Sequence, residues 1–421
     1  MALRRLLTGL LLLACAGSVW AQDPLAITPR SLAGDGVAND LLGFAVAISP
    51  ASATGSSVVV AGAVDRYAWV SEAYAAAGSG AALTLAQRLT SGVGADNYGF
   101  AVAAGLNLVA IGAPGHDTGL QNVGRVYLYR PGPLGWQAAG VLDPPIESAL
   151  GNFGAALAIS PDGSTLAVGE PRALRASVEV GAVHVYELGA ALPVLRASVV
   201  GSGTAARFGQ SVGLSQSRLL VGMPLYDDGV LADVGAVQVY QLANFVPSAE
   251  GPPLLAADRQ GSDRLGLAVA SFGNLLIAGA GNDDKPAGAD AGSAYVYARD
   301  ANGWIETQKL RSSQAQVQER FGHSLALNAR YAVIGAYCLN VSGCVGPGAV
   351  YVYQREGQQL VPVQRLSPSD GGATGHAVAS NGGALFAVGA FAADGPGGVD
   401  QGALYALIDQ RLGADGFESE P

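Results

Sequence analysis

Short bursts of alternating apolar and polar positions run the length of the chain, as in SVGL, AVQVY, SLAL, AVYVY and ALYAL. A period of two puts the large side chains on one face of an extended strand, whereas an amphipathic helix would repeat every 3.6 residues or so. No stretch after residue 21 carries that longer period. The bursts are separated by turn chemistry: Ser160-Pro161-Asp162-Gly163, Arg299-Asp300-Ala301-Asn302-Gly303 and Asn381-Gly382-Gly383. Glycine and Asx residues at such points accept the backbone angles of tight hairpins. The pattern predicts an all-β protein of many short strands.

The bursts are not independent of one another. RFGQSVGLSQSRLLVGMP (207–224) and RFGHSLALNARYAVIGAY (320–337) are nearly the same segment, and the pattern recurs seven times. The copies begin at Leu42, Tyr98, Phe153, Phe208, Leu265, Phe321 and Thr374, and their aligned glycines, Gly43, Gly99, Gly154, Gly209, Gly266, Gly322 and Gly375, fall 53 to 57 residues apart. Each copy is followed by a second motif (VAGAV, AIGAP, AVGEP, LVGMP, IAGAG, VIGAY, AVGAF) and then by a third (GRVYLY, GAVHVY, GAVQVY, GSAYVY, GAVYVY, GALYAL), of which RYAWV is a degraded form in the first unit. A fourth segment such as WQAAGVL, WIETQKL or LVPVQRL completes the unit. Four strands per unit and seven units of this length predict a seven-bladed β-propeller of four-stranded antiparallel blades. WD repeats are shorter, kelch repeats carry a different glycine and aromatic pattern, and a β-solenoid would repeat at about half this interval. The last unit ends at GALYALIDQ with no fourth strand, while Leu25–Leu32 precedes the first unit where every other unit has one. The ring is therefore expected to be closed by the N-terminal strand, which would serve as the outer strand of blade seven.

Composition narrows the setting. Hydrophobic residues make up 50% and charged residues 13% of 421, with 60 glycines, which fits a large core crossed by many turns. Residues 1–21 read as a signal peptide: Arg4 and Arg5, an apolar run from Leu6, and a small-x-small cleavage site ending at Ala21. The mature propeller would span 22–409 and be followed by an acidic, flexible tail at 410–421. A lipoprotein anchored through Cys15 is the alternative export route. The expected location is the secreted, periplasmic or cell-surface compartment, with no membrane insertion after cleavage. Loss of Arg4 and Arg5, with no acid lost, takes the formal charge from -10 to -12. So acidic a chain is repelled by nucleic acid, which leaves extracellular proteins or glycans as partners, cationic ones among them, and a monomer as the expected state. The mature chain keeps two cysteines, Cys338 and Cys344, and in an exported protein these are expected to form a disulfide.

Phe-Gly, then Gly-Ala-Pro, then a Gly-x-x-Tyr-x-Tyr strand resembles the FG-GAP repeat, the unit of the seven-bladed propeller in integrin α-subunit heads and in many bacterial exported proteins. The likeness covers roughly Leu25 to Asp409. Many repeats of that family hold a calcium loop between the two motifs. Here the interval is too short and lacks the acids, so the resemblance carries no metal site onto any position, and no cofactor is expected.

Candidate chemistry is sparse. His323 and His376 each follow a repeat glycine and would be either ligands lining the axis or occupants of a variable position that also takes Phe44, Phe100, Ala155, Gln210 and Leu267. His184 lies within a Y-x-Y strand and His116 in a loop, with no partner legible in the sequence. There is no Gly-x-Ser-x-Gly elbow, and no catalytic residue is assigned. The acids concentrate on the loops joining strands two to three and four to one, which share one face. Asp117, Asp227, Asp228, Asp233, Asp283, Asp284, Asp290, Asp394 and Asp400 are the candidate ligand-binding residues. The expectation is a non-enzymatic exported binding or adhesion protein. Its alternatives are a propeller-scaffold enzyme acting on extracellular glycans and a purely structural surface component.

Overall fold

The computed structural model describes residues 25–27, 39–53, 56–64, 67–74, 83, 86–92, 96–189, 192–203, 206–215, 217–284, 289–338, 344–369, 372–394 and 399–409. The expected leader at 1–21, Cys15 and the tail at 410–421 lie outside the described residues. All regular structure among the described residues is strand or turn. Seven four-stranded antiparallel sheets are present. Six are built from strands in chain order, spanning 42–89, 101–142, 156–200 (interrupted by a small separate hairpin at 174–179), 211–249, 268–310 and 324–366. RYAWV, the weakest repeat match, contributes to the third strand of the first sheet, Tyr67–Tyr74. The seventh sheet is composite: Thr374–Ser380, Leu385–Ala390 and Ala403–Asp409 are completed by Leu25–Ile27.

The closing strand is held as the outer strands of blades two and six are. It pairs Leu25 with Asp409 and Ile27 with Leu407. From blade six, the Gln364 side chain accepts from the Leu25 amide at 3.2 Å and donates to its carbonyl at 3.0 Å. Gln87 grips the Trp136 backbone in this way between blades one and two (2.7 and 2.7 Å), and Gln308 grips Leu360 between blades five and six (3.0 and 2.8 Å). The N-terminal segment is thus a fourth strand in every respect except its place in the sequence.

The recurring glycines make the blade junctions. Each F-G glycine has φ between +86° and +92°, a region costly for any residue with a Cβ. Each also lies against the second-strand glycine of the preceding blade. A Cβ on Gly62, Gly112, Gly169, Gly222, Gly279, Gly335 or Gly389 would land on the carbonyl oxygen of Gly99, Gly154, Gly209, Gly266, Gly322, Gly375 or Gly43 respectively. Apolar packing is organised between neighbours rather than around one centre. Leu275, Ile277 and Val296 of blade five pack on Phe321, Leu325 and Ile334 of blade six, and Leu404 and Ala406 of blade seven pack on Leu42, Val59 and Ala61 of blade one. Phe153, Phe208 and Phe321 are fully buried, each contributing about 1.5–3 kcal/mol. In blade seven that place is taken by Thr374, equally buried, whose hydroxyl has no hydrogen-bond partner.

Deleting residues 22–27 should lower the melting temperature sharply, because it removes the outer strand of blade seven and leaves Gln364 without its partner; an unchanged melting curve would contradict this closure. Thr374→Val should stabilise the protein by about 1–2 kcal/mol in a denaturant titration, since it replaces a buried, unpaired hydroxyl with a methyl of the same shape.

Candidate functional site

The loops between strands two and three and those between strands four and one meet on one face of the ring. Four of the former are closed by one device. The carboxylate of Asp117 accepts from the amide of Asn122 (2.7 Å), Asp227 from Asp233 (2.8 Å), Asp284 from Asp290 (2.8 Å) and Asp394 from Asp400 (3.1 Å). Each receiving residue has left-handed backbone, with φ of 48°, 54°, 54° and 51°, a conformation Asn and Asp tolerate better than most. The carbonyls of those residues then accept from Asn152, Arg264, Arg320 and Leu41 just ahead of the next blade's repeat glycine, at 3.1 Å in every case. The predicted aspartates therefore brace the loops that couple successive blades, while Asp117, Asp227, Asp284 and Asp394 keep exposed side chains.

Two loops close differently. In blade three a small hairpin, Leu174–Arg175 with Val178–Glu179, takes the place of the aspartate brace, and Glu179 pairs with Arg172 (3.1 Å) and Arg207 (3.3 Å). In blade six the expected Cys338–Cys344 disulfide is present, with both cysteines buried. Loop tips on this face also expose aliphatic side chains: Val230 is 89%, Val345 78% and Val399 60% accessible, and Leu120 and Val178 are exposed as well.

Asp228 and Asp283 depart from the surface role expected of them. Asp228 accepts from the amides of Leu231 (2.8 Å) and Val230 (2.9 Å) and from Arg259 (2.7 Å). These bonds, the Leu231 amide first, hold its carboxyl down to about 2. Asp283 is buried and unavailable to a partner. The turn after Ala280 directs it inward, where it accepts from Tyr295 Oη (3.0 Å) and meets Lys309 Nζ (2.5 Å). The two members of the Asp283-Asp284 pair thus point in opposite directions and do different work.

A further set of acids escaped the sequence reading. Asp40, Asp96, Asp263 and Glu319 are all buried, each three residues before a repeat glycine. Asp96 accepts from the Tyr98 amide (3.1 Å), Asp263 from that of Gln260 (2.6 Å), and Glu319 from that of Gln316 (3.1 Å) and from Tyr351 Oη (2.9 Å). Their regular offset from the glycines is a signal that could have found them. In blade three that position is Gly151, and the Glu170 carboxylate, reaching from the second strand, lies where a side chain there would begin.

At the axis the same face is partly filled by a crescent of rings from blades six, seven, one and two. His323 lies 4.8 Å from His376 and 4.5 Å from Tyr337, and His376 lies 4.6 Å from both Phe44 and Phe391, with Phe100 5.4 Å from Phe44. Burial lowers the pKa of His376 to about 4 against a hydrogen bond to the Phe44 carbonyl (2.9 Å), and burial with the neighbouring His376 and Arg320 lowers that of His323 well below its usual value. Both imidazoles are therefore neutral, and Nδ1 of His376 is the donor to Phe44. The structure brings these two histidines together and leaves the other two apart: His116 faces Asp96 at 3.8 Å, and His184 is buried between Glu170 and Ser198. Among the described residues no three His, Cys, Asp or Glu side chains converge to hold a metal ion.

A closed ring of four-stranded blades, joined glycine to glycine and carrying its variable loops on one face, is a β-propeller. The FG-GAP repeat family model matches residues 252–297 and 304–353, which run from the approach to blade five through the third strand of blade six. The chain is a β-propeller that carries FG-GAP repeats over these residues. No curated protein matches its sequence.

The depressed pKa of Asp228 has a measurable consequence. The stability it contributes is complete above the ordinary Asp value of about 3.9 and is lost as pH falls from there through about 2. Asp228→Asn keeps an oxygen for both amides but loses the charge facing Arg259. Denaturant titrations should find this variant less stable than the parent at neutral pH and the gap closing by about pH 2; a gap independent of pH would refute the assignment.

Proposed function

We propose that the chain is an exported recognition protein whose loop face binds a protein partner presenting basic and aliphatic side chains together. One observation carries the reading: on this face, the strand two-to-three loops of blades two, four, five and seven expose carboxylates (Asp117, Asp227, Asp284, Asp394), and three of these loops also expose aliphatic tips (Leu120, Val230, Leu231, Val399). Isolated exposed apolar residues, such as Leu134 on the opposite face, are ordinary. Their clustering with charge of one sign on the variable loops of a rigid scaffold is what supports recognition. Aliphatic tips suit a protein surface better than a sugar, which is bound more readily on flat aromatic rings. The leader-like first residues support export, and the acidic face disfavours nucleic acid.

The test is a binding screen of the mature chain against extracellular proteins and glycans, at about 0.15 M and about 0.5 M salt. Replacing Val230, Leu231 and Val399 with Ser should weaken protein binding by about 1–2 kcal/mol, roughly five- to thirtyfold. Replacing Asp227, Asp284 and Asp394 with Asn should weaken it to a similar extent and flatten its salt dependence, with little change in melting because Asn keeps the bracing oxygen. Binding to glycans alone, or protein binding indifferent to both sets of changes, would reject the reading.

A further inference from the structure

Blades five and six each gather a buried carboxylate, a buried tyrosine and a half-buried cation in one cluster. In blade five Tyr295 bonds Asp283 while Lys309 sits on the same carboxylate; in blade six Tyr351 bonds Glu319 and Arg365 bonds Tyr351. Strand pairing sets Lys309 opposite Tyr295 and Arg365 opposite Tyr351. In blade three the residue at the tyrosine position is His184, and the residue opposite it is Ser198. The carboxylate is Glu170.

The substitution changes the chemistry. Glu170 and His184 are both fully buried, with Glu170 Oε2 2.9 Å from His184 Nε2 and His184 Nδ1 2.8 Å from Ser198 Oγ. Among the described residues no lysine or arginine pairs with this carboxylate, and Glu170 Oε1 has no hydrogen-bond partner. The imidazole supplies the donor proton that faces this buried carboxylate, from Nε2. With that proton on Nε2, Nδ1 is left as an acceptor for the Ser198 hydroxyl, and Ser198 is exposed on the outer strand. A buried acid thus orients a buried base, and the base contacts a hydroxyl in solvent, which is the arrangement that activates a serine nucleophile.

We propose that Glu170, His184 and Ser198 form a proton relay that makes Ser198 an acylatable nucleophile toward small, unhindered carboxylic esters. Ser198 Oγ bonds to the ester carbonyl carbon as its proton passes to His184 Nδ1. The carbon–alkoxide bond then breaks, and the leaving alkoxide takes that proton. Water, deprotonated by the same nitrogen, cleaves the acyl–serine ester to release the acid and restore the hydroxyl. Blade three ends at this strand, so alternate backbone amides along it face outward and are the donors at hand for the oxyanion. Glu170 acts as a positioning residue.

The mature chain is treated with a fluorophosphonate probe, and the modified serines are located by mass spectrometry. Ser248, exposed on the outer strand of blade four with no histidine beside it, is the internal control. Ser198 should react at least about a hundredfold faster than Ser248, and Glu170→Gln should lower that rate by a similar factor at an unchanged melting temperature. Ser198→Ala should abolish both the labelling and the hydrolysis of p-nitrophenyl acetate above background. Equal reactivity of Ser198 and Ser248 in the native parent protein overturns the proposal, whatever the variants do, and so does labelling of Ser198 that a folded Glu170→Gln leaves unchanged.

Discussion

The contact between the second-strand glycine of one blade and the F-G glycine of the next is the constraint on which this structure depends. It occurs at all seven junctions, including the one between Gly389 and Gly43 that closes the ring. Because neither residue has a side chain, the inner strands of adjacent blades approach until a backbone carbonyl rests on a backbone Cα. That approach fixes the offset between blades and brings their apolar faces into one packed layer, so that Phe153, Phe208 and Phe321 fill equivalent sites. The repeat survives variation at many positions but retains these glycines, because at this distance a methyl group has no space to occupy.

Polar groups reinforce the same junctions from outside the core. The Asp117, Asp227, Asp284 and Asp394 braces hold four left-handed residues whose carbonyls receive the next blade, and the buried acids before the repeat glycines fold the incoming linkers. At the outer edge Glu250 accepts from Arg218, Arg299 and Trp304, each at 3.0 Å, and so ties blade four to blade five. The acidity of the chain is therefore in part structural, spent on turns and linkers. What remains exposed is one oxygen-rich face, four of whose loops share a closing mechanism and differ in their tips. A scaffold of this kind can vary its recognition surface without disturbing its junctions.

Blade three shows how the repeat departs from its own pattern. Its loop is a hairpin, its linker acid is replaced by Gly151, and its buried carboxylate comes from Glu170 on another strand. The tyrosine that meets the acid elsewhere is a histidine, and the cation opposite is a serine. These changes are mutually consistent: moving the acid to the second strand places it beside the ring position, and an imidazole can bond on both of its sides where a phenol has one hydroxyl. The crescent of rings at the axis is a second local departure, confined to blades six, seven, one and two, where two neutral histidines pack as aromatic side chains do.

The sequence by itself determined the strand content, the count of units, the order of strands within them and the identity of the closing segment. Each of these follows from a period: two residues for a strand, and between 53 and 57 for a blade. The Cys338–Cys344 pairing was equally legible, because Cys15 falls in the expected leader and the other two cysteines lie six residues apart in one loop. Only the tertiary structure decided what the individual polar residues do. Asp283 and Asp284 are neighbours in sequence, yet one is buried against Lys309 and the other braces Asp290. His184 looked unpartnered because Glu170 and Ser198 each lie 14 residues away and reach it only through the pairing of three strands. Periodicity reports the backbone arrangement that all units share, whereas a side chain's role depends on which strands and blades surround it, and those contacts exist only once the ring has closed.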